Sequence, residues 1–152
     1  MAFVLDASVT ACWAFQDEDH PDAHLAFQQM RTTEAVVPYL WWFEVRNILV
    51  VNERRRRITE PDTAAFLLNL ARLRVRIDRL PDEAAVLRLA RIHGLSVYDS
   101  AYLELAQREG LPLATLDDDL RRAAASEGVA LFSGDNVEPA KESPPDPSDL
   151  GK

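Results

Sequence analysis

Four acidic side chains occupy positions where an acid needs a reason. Asp6 directly follows the apolar run FVL, and Asp117 follows PLATL in the same way. Asp99 shares a helical face with Tyr102, Leu103 and Ala106, and Glu44 falls in line with Leu40, Ile48 and Val51. A buried, unpaired carboxylate costs several kcal/mol or becomes protonated. Several at one end of a fold repel one another unless a cation lies between them. Hard oxygen donors without histidine or cysteine suit Mg²⁺ or Mn²⁺, ions that keep water in their shell. The matching chemistry is hydrolysis of a phosphodiester by an activated water, with a metal stabilising charge on the phosphate.

Each acid also has a purely architectural reading. Asp6 would cap a helix beginning at about Ser8, and Glu44 would pair with Arg46 or a neighbouring arginine. Asp99 would complete a capping box begun by Ser96. The run Asp117, Asp118 and Asp119 would favour a helix start through the dipole. The coincidence of four such positions carries more weight than any one of them.

The elements that must position these acids alternate in type. FVLDAS, EAVVP, VRIDRL, PLATL and VALFS read as strands, VRIDRL alternating and so half exposed. Between them run helical patterns over ASVTACWAF, from about Asp22 to Arg31, over YLWWFEVRNILVVNERRRR, and over TAAFLLNLARLR. Thr59, Pro61 and Asp62 mark the start of the fourth of these. PDEAAVLRLARIHG, SVYDSAYLELAQREG and DDDLRRAAASEG are three more, each closed by a glycine. The alternation predicts an α/β sandwich: a mainly parallel sheet of four to five strands flanked by helices. In such sheets ligands bind at the carboxyl ends of the strands, where Asp6 and Asp117 fall. The chain has five glycines and neither a GxGxxG nor a Walker pattern, so nucleotide-loop functions have no support.

A length of 152 residues fits one domain, over 1–136, followed by a proline-rich acidic tail at 137–152 expected to be flexible or extended. Cys12 is the single cysteine, so no internal disulfide forms, in keeping with a reducing compartment. MAFVLDASV lacks the basic flank of a signal peptide, and no apolar run is long enough to span a bilayer. A cytoplasmic protein without membrane contact is expected.

The net charge of −8 argues against a general nucleic-acid coat, yet 11 of the 17 basic residues are arginines between Arg46 and Arg91. Within that stretch Arg54, Arg55, Arg56 and Arg57 end a helix. They are either a solvated helix terminus or phosphate contacts to RNA. His20 and His24 have a zinc-compatible spacing, but Pro21 and the loop-like QDED before it argue against a rigid site. His93 suits a helix end beside Gly94. WWF at 41–43 and the FLLNLARL helix are core or partner surface.

Four blocks in order, VLDASV, WFEVRNIL, YDSAYLELA and LATLDDDLRRAA, resemble the PIN domain family, in particular VapC-type toxins of VapBC toxin–antitoxin pairs. The resemblance spans about residues 3 to 133. It implies a PIN-like α/β/α fold and a metal-dependent endoribonuclease acting with Mg²⁺ or Mn²⁺ on tRNA, rRNA or mRNA. The family's acids fall on Asp6, Glu44, Asp99 and Asp117, with Asp119 the alternative to Asp117. Ser100 and Thr115 stand beside them as supporting groups. A VapB-like antitoxin and a homodimer are the implied partners. Two other functions are weighed against this one. A phosphatase with Asp6 as nucleophile wants a second aspartate where Ser8 stands. A non-catalytic interaction module would keep the fold without binding an ion.

Overall fold

In the computed structural model, which describes residues 2–133, four short apolar segments form the sheet. They are β1 (Phe3–Leu5), β2 (Ala35–Val37), β3 (Val75–Ile77) and β4 (Leu113–Ala114). Their order is β3-β2-β1-β4, and every pairing is parallel. Strands covered on both faces need continuous apolar runs, which FVL and AVV supply, and both are buried throughout. β3 lies at the edge and is only partly covered, as its alternation predicts.

The fifth strand expected at VALFS shrinks to one parallel bridge between Leu113 and Leu131. β4 is two residues long, and its outer edge offers the N–H and C=O of Leu113. These pair with Ala130 and Phe132 (2.9 Å each), which uses up that edge. The tail at 137–152 lies outside the described residues.

Seven helices flank this sheet among the described residues: α1 (Ala7–Cys12), α2 (Pro21–Gln29), α3 (Leu40–Arg54), α4 (Glu60–Leu70), α5 (Glu83–His93), α6 (Val97–Glu109) and α7 (Asp118–Ser126). Their ends follow local chemistry. Thr59 and Asp62 form a reciprocal capping box on α4. Gly94 stops α5 with φ of +63°. α3 has no glycine there. Arg56 adopts φ of +58° instead, and the Arg57 N–H returns to the Asn52 carbonyl at 3.0 Å.

α6 is the central helix. Its residues from Ser100 to Ala106 are all buried, and it packs against α5, α7 and β1. The WWF stretch divides: Trp41 joins the core, while Trp42 and Phe43 are exposed, as are Tyr39, Leu80, Val97 and Tyr98, which line one surface pocket with Phe43. No helix among the described residues is long and apolar enough to cross a membrane.

Candidate active site

Parallel topology brings the carboxyl ends of β1 and β4 side by side, and the acids gather there. Asp6 leaves β1 and is 5% exposed. It occupies the cap position of α1 but makes no side-chain cap bond, because other donors claim its carboxylate. Ser8 Oγ (2.7 Å) and Thr115 Oγ1 (2.6 Å) both donate to Asp6 Oδ2. Thr115 in turn accepts the Asp117 N–H, and Ser8 accepts the Leu116 N–H, each at 3.1 Å. Two hydroxyls thus latch the turn after β1 to the turn after β4.

Glu44 comes from α3. The core line of that helix is Trp41, Val45, Leu49 and Asn52, while Leu40, Glu44, Ile48 and Val51 form a half-buried flank beside it. Glu44 is therefore at the margin of the core and not in its centre, which leaves room for a ligand. It does not pair with Arg46, whose guanidinium lies over the Trp42 ring at 4.1 Å. Its partner is the Tyr102 hydroxyl, which donates to Oε1 at 3.1 Å.

Asp99 sits in the first turn of α6, its N–H bonded to the Ser96 hydroxyl at 3.0 Å. Asp117 caps α7 by accepting the Leu120 N–H on Oδ1 at 2.9 Å, and Oδ2 has no hydrogen-bond donor among the described residues. Asp119 is exposed and paired with Arg122. Thr115 supports Asp6 as a neighbouring hydroxyl should. Ser100 donates to the Ser96 carbonyl (2.8 Å), steadying the turn that carries Asp99.

The electrostatics tie the four together. Burial pushes the Asp6 carboxyl up against the opposing hydrogen bonds from Thr115 and Ser8. Burial raises Glu44 to about 7, with repulsion from Asp6 and then Asp99 adding to it. Asp99 is raised by burial, then by Asp117, Asp6 and Asp119. The charges acting on Glu44 and Asp99 are thus other carboxylates. The arginine ion pairs among the described residues form elsewhere, at Arg57, Arg76, Arg88, Arg108, Arg121 and Arg122. As the side chains stand, no three acid, histidine or cysteine groups among the described residues close around one point.

The secondary candidates lie apart. Arg54 is about 15 Å from Glu44 along α3, ten residues at 1.5 Å each. Arg54, Arg55 and Arg56 are exposed. Arg57 is engaged by Asp17 at 3.1 Å and stacks over Phe15. His20 precedes α2, and His24 bonds Asp19 at 2.7 Å. His93 bonds Glu127 at 2.6 Å.

Sequence reasoning missed Ser8 and Tyr102 as supports. Both carried a signal: Ser8 stands two residues after Asp6, and Tyr102 lies one helical turn beyond Asp99.

Comparison with known proteins places this geometry. Residues 3–126 match the PIN domain family. The chain is 32% identical over 124 residues to Ribonuclease VapC3 of Pyrobaculum aerophilum, covering 79% of this chain and 92% of that protein. Its fold resembles the crystal structure of PAE2754 from the same organism, with a TM-score of 0.63 at 24% identity over 81% of this chain and 79% of that one. It also resembles a chain of a toxin–antitoxin complex from Klebsiella pneumoniae, with a TM-score of 0.55 at 16% identity over 86% and 98% of the two chains. With four acids gathered beside the carboxyl ends of a parallel sheet and a match across almost all the described residues, the chain belongs to the PIN domain family.

Proposed function

We propose that the protein is a divalent-metal-dependent endoribonuclease of the VapC type, the toxin of a toxin–antitoxin pair. One observation carries this reading. Carboxylates from four separate elements lie within electrostatic reach of one another at the ligand-binding end of the sheet, and none of them is in an ion pair among the described residues. Folding alone gives no reason to collect uncompensated charge there. The donor set fits a hard cation: all oxygen, partly buried and electrostatically in need of positive charge. Asp6, Glu44, Asp99 and Asp117 are the residues that would hold it. Mg²⁺ commonly binds through one or two carboxylates and its own waters, so the four need not all touch the ion. When bound, it supplies the charge that offsets the phosphate and makes a water acidic enough to attack.

The chain's own groups do the rest. Thr115 and Ser8 hold Asp6 by one oxygen and leave the other for the ion. Asp117 is held the same way by its capping bond. The exposed Arg54, Arg55 and Arg56 would contact RNA phosphates beyond the cleaved bond, independently of sequence. A cognate antitoxin and a second copy of the chain are the partners on this reading. The exposed aromatic residues Tyr39, Trp42, Phe43 and Tyr98 are the surface offered to them.

The test is cleavage of tRNA and rRNA by purified protein with Mg²⁺ or Mn²⁺, and its loss on chelation. Intact RNA at high enzyme and saturating Mn²⁺, with folding confirmed, would defeat the proposal. An antitoxin encoded beside the gene should suppress the cleavage when co-expressed.

A further inference from the structure

We infer that Tyr102 is a positioning residue for the metal-binding carboxylates. Its hydroxyl fixes Glu44 relative to Asp6, so that an oxygen of each stays open toward the ion. The inference rests on the proposed metal-dependent reading of the site and goes beyond it by assigning a role outside the four acids.

Three observations support it. First, Tyr102 is completely buried, and its ring is part of the central core, so its hydroxyl has one fixed place. A buried tyrosine oxygen needs partners. Here the O–H donates to Glu44 Oε1 at 3.1 Å. α6 packs against β1, the strand that Asp6 directly follows, so this bond ties the helix carrying Glu44 to an element packed beneath Asp6.

Second, Glu44 lies 58 residues from Tyr102 in sequence, on a flank of α3 where an unrestrained glutamate would swing into solvent. Glutamate has several rotatable bonds, and ordering it costs rotamer entropy. A preformed donor covers that cost before the ion arrives.

Third, the same device recurs at Asp6. Ser8 and Thr115, both neutral hydroxyls, share Oδ2. Both carboxylates are thus held by neutral donors that direct the charge without cancelling it. An arginine at either place would satisfy the acid and close the site to a cation.

Tyr102→Phe removes the donor and keeps the ring. The probe is Mn²⁺ alone, titrated into metal-free full-length protein and followed by calorimetry or by the spin-resonance signal of the free ion. Wild-type protein should bind, and Tyr102→Phe should bind about 10- to 100-fold more weakly, the usual effect of removing a ligand's supporting hydrogen bond. A cycle with Glu44→Ala separates positioning from general damage. Once residue 44 has no side-chain oxygen to hold, adding Tyr102→Phe should change Mn²⁺ affinity by less than about twofold. Equal affinity in wild type and Tyr102→Phe overturns the inference and leaves the metal site standing. The same weakening in both Glu44 backgrounds also overturns it, because the tyrosine then acts only through packing. Wild-type protein that binds no Mn²⁺ overturns the metal reading itself, and this inference with it.

Discussion

Two of the three carboxylates of helix α6, Asp99 and Glu104, are treated in opposite ways. Glu104 is 2% exposed, more buried than any of the four site acids. It accepts from Arg108 Nε at 2.7 Å and from the Asp82 N–H at 3.2 Å, and Arg108 reaches on to Asp78. The two carboxylates on Arg108 hold its guanidinium well above its ordinary pKa. The charges acting on Asp99, five residues earlier, are all other acids, and burial together with them raises its carboxyl. Burial alone does not separate the two places. The separation lies in whether the chain provides its own cation. At Glu104 it does, and the result is architecture: the segment before α5 is tied to α6. At Asp99 it does not, and the missing charge is left for a ligand.

The largest expected effect follows from that contrast. Asp6→Asn should reduce metal-dependent RNA cleavage by more than about 100-fold, beyond the range of an outer-shell change. The same substitution should raise the melting temperature of metal-free protein, since it removes a buried charge that burial disfavours. Cleavage assays and calorimetry on one preparation read both. Retained activity with a fall in stability would make Asp6 another Glu104.

Glu104→Gln should give the reverse pattern. It strips one partner from a buried ion pair whose arginine is partly solvated, so the cost falls below the 3–5 kcal/mol of a fully buried case, at about 2 kcal/mol. For a chain of this size that is a drop in melting temperature of about 4–8 °C. Cleavage at room temperature should stay within about threefold of wild type, because Glu104 touches none of the site acids.

The two regions also differ in how much of each could be read from sequence. The strand after residue 2, the helix pattern, the stops at glycines and the four acids were all legible, because periodicity and caps are local. The expected fifth strand was not. It depended on how much edge β4 had left to offer, which is a property of another segment. Glu44 was placed on the apolar face, but the true core line runs one residue over, through Trp41, Val45 and Leu49. A helix with apolar residues on most sides does not reveal which stripe faces inward until its neighbours are in place. Glu104 escaped notice although Arg108 stood four residues later. An i, i+4 pair reads as ordinary surface until burial is known.

A smaller effect concerns pH. Glu44 is raised from its ordinary value of 4.5 to about 7 in the metal-free fold. A carboxyl with a raised folded pKa binds more protons when folded than when unfolded between these values. Metal-free stability should therefore fall as pH rises from about 4.5 to 7 and then level off. Glu44 is partly solvated, so the effect is on the order of 1 kcal/mol. The difference in melting temperature between wild type and Glu44→Gln, followed from pH 5 to 8, isolates it. Saturating Mn²⁺ should abolish the slope.

The smallest effect marks the boundary of the acidic site. Asp119 follows Asp117 closely and adds to the field on Asp99, but it is exposed and already paired with Arg122. Asp117, in contrast, ends the β4 segment, and its cap bond occupies a single oxygen. An asparagine caps a helix nearly as well as an aspartate. Asp117→Asn should therefore preserve α7 while weakening Mn²⁺ binding, with little change in melting temperature. Asp119→Asn breaks only an exposed ion pair, worth at most about 1 kcal/mol. It should leave Mn²⁺ affinity within about threefold, the small residue being the loss of a distant charge. If Asp119→Asn instead weakens Mn²⁺ binding as much as Asp117→Asn, the partner Arg122 is displaced when the ion binds. The line between acids with their own cation and acids without one would then run through α7 itself.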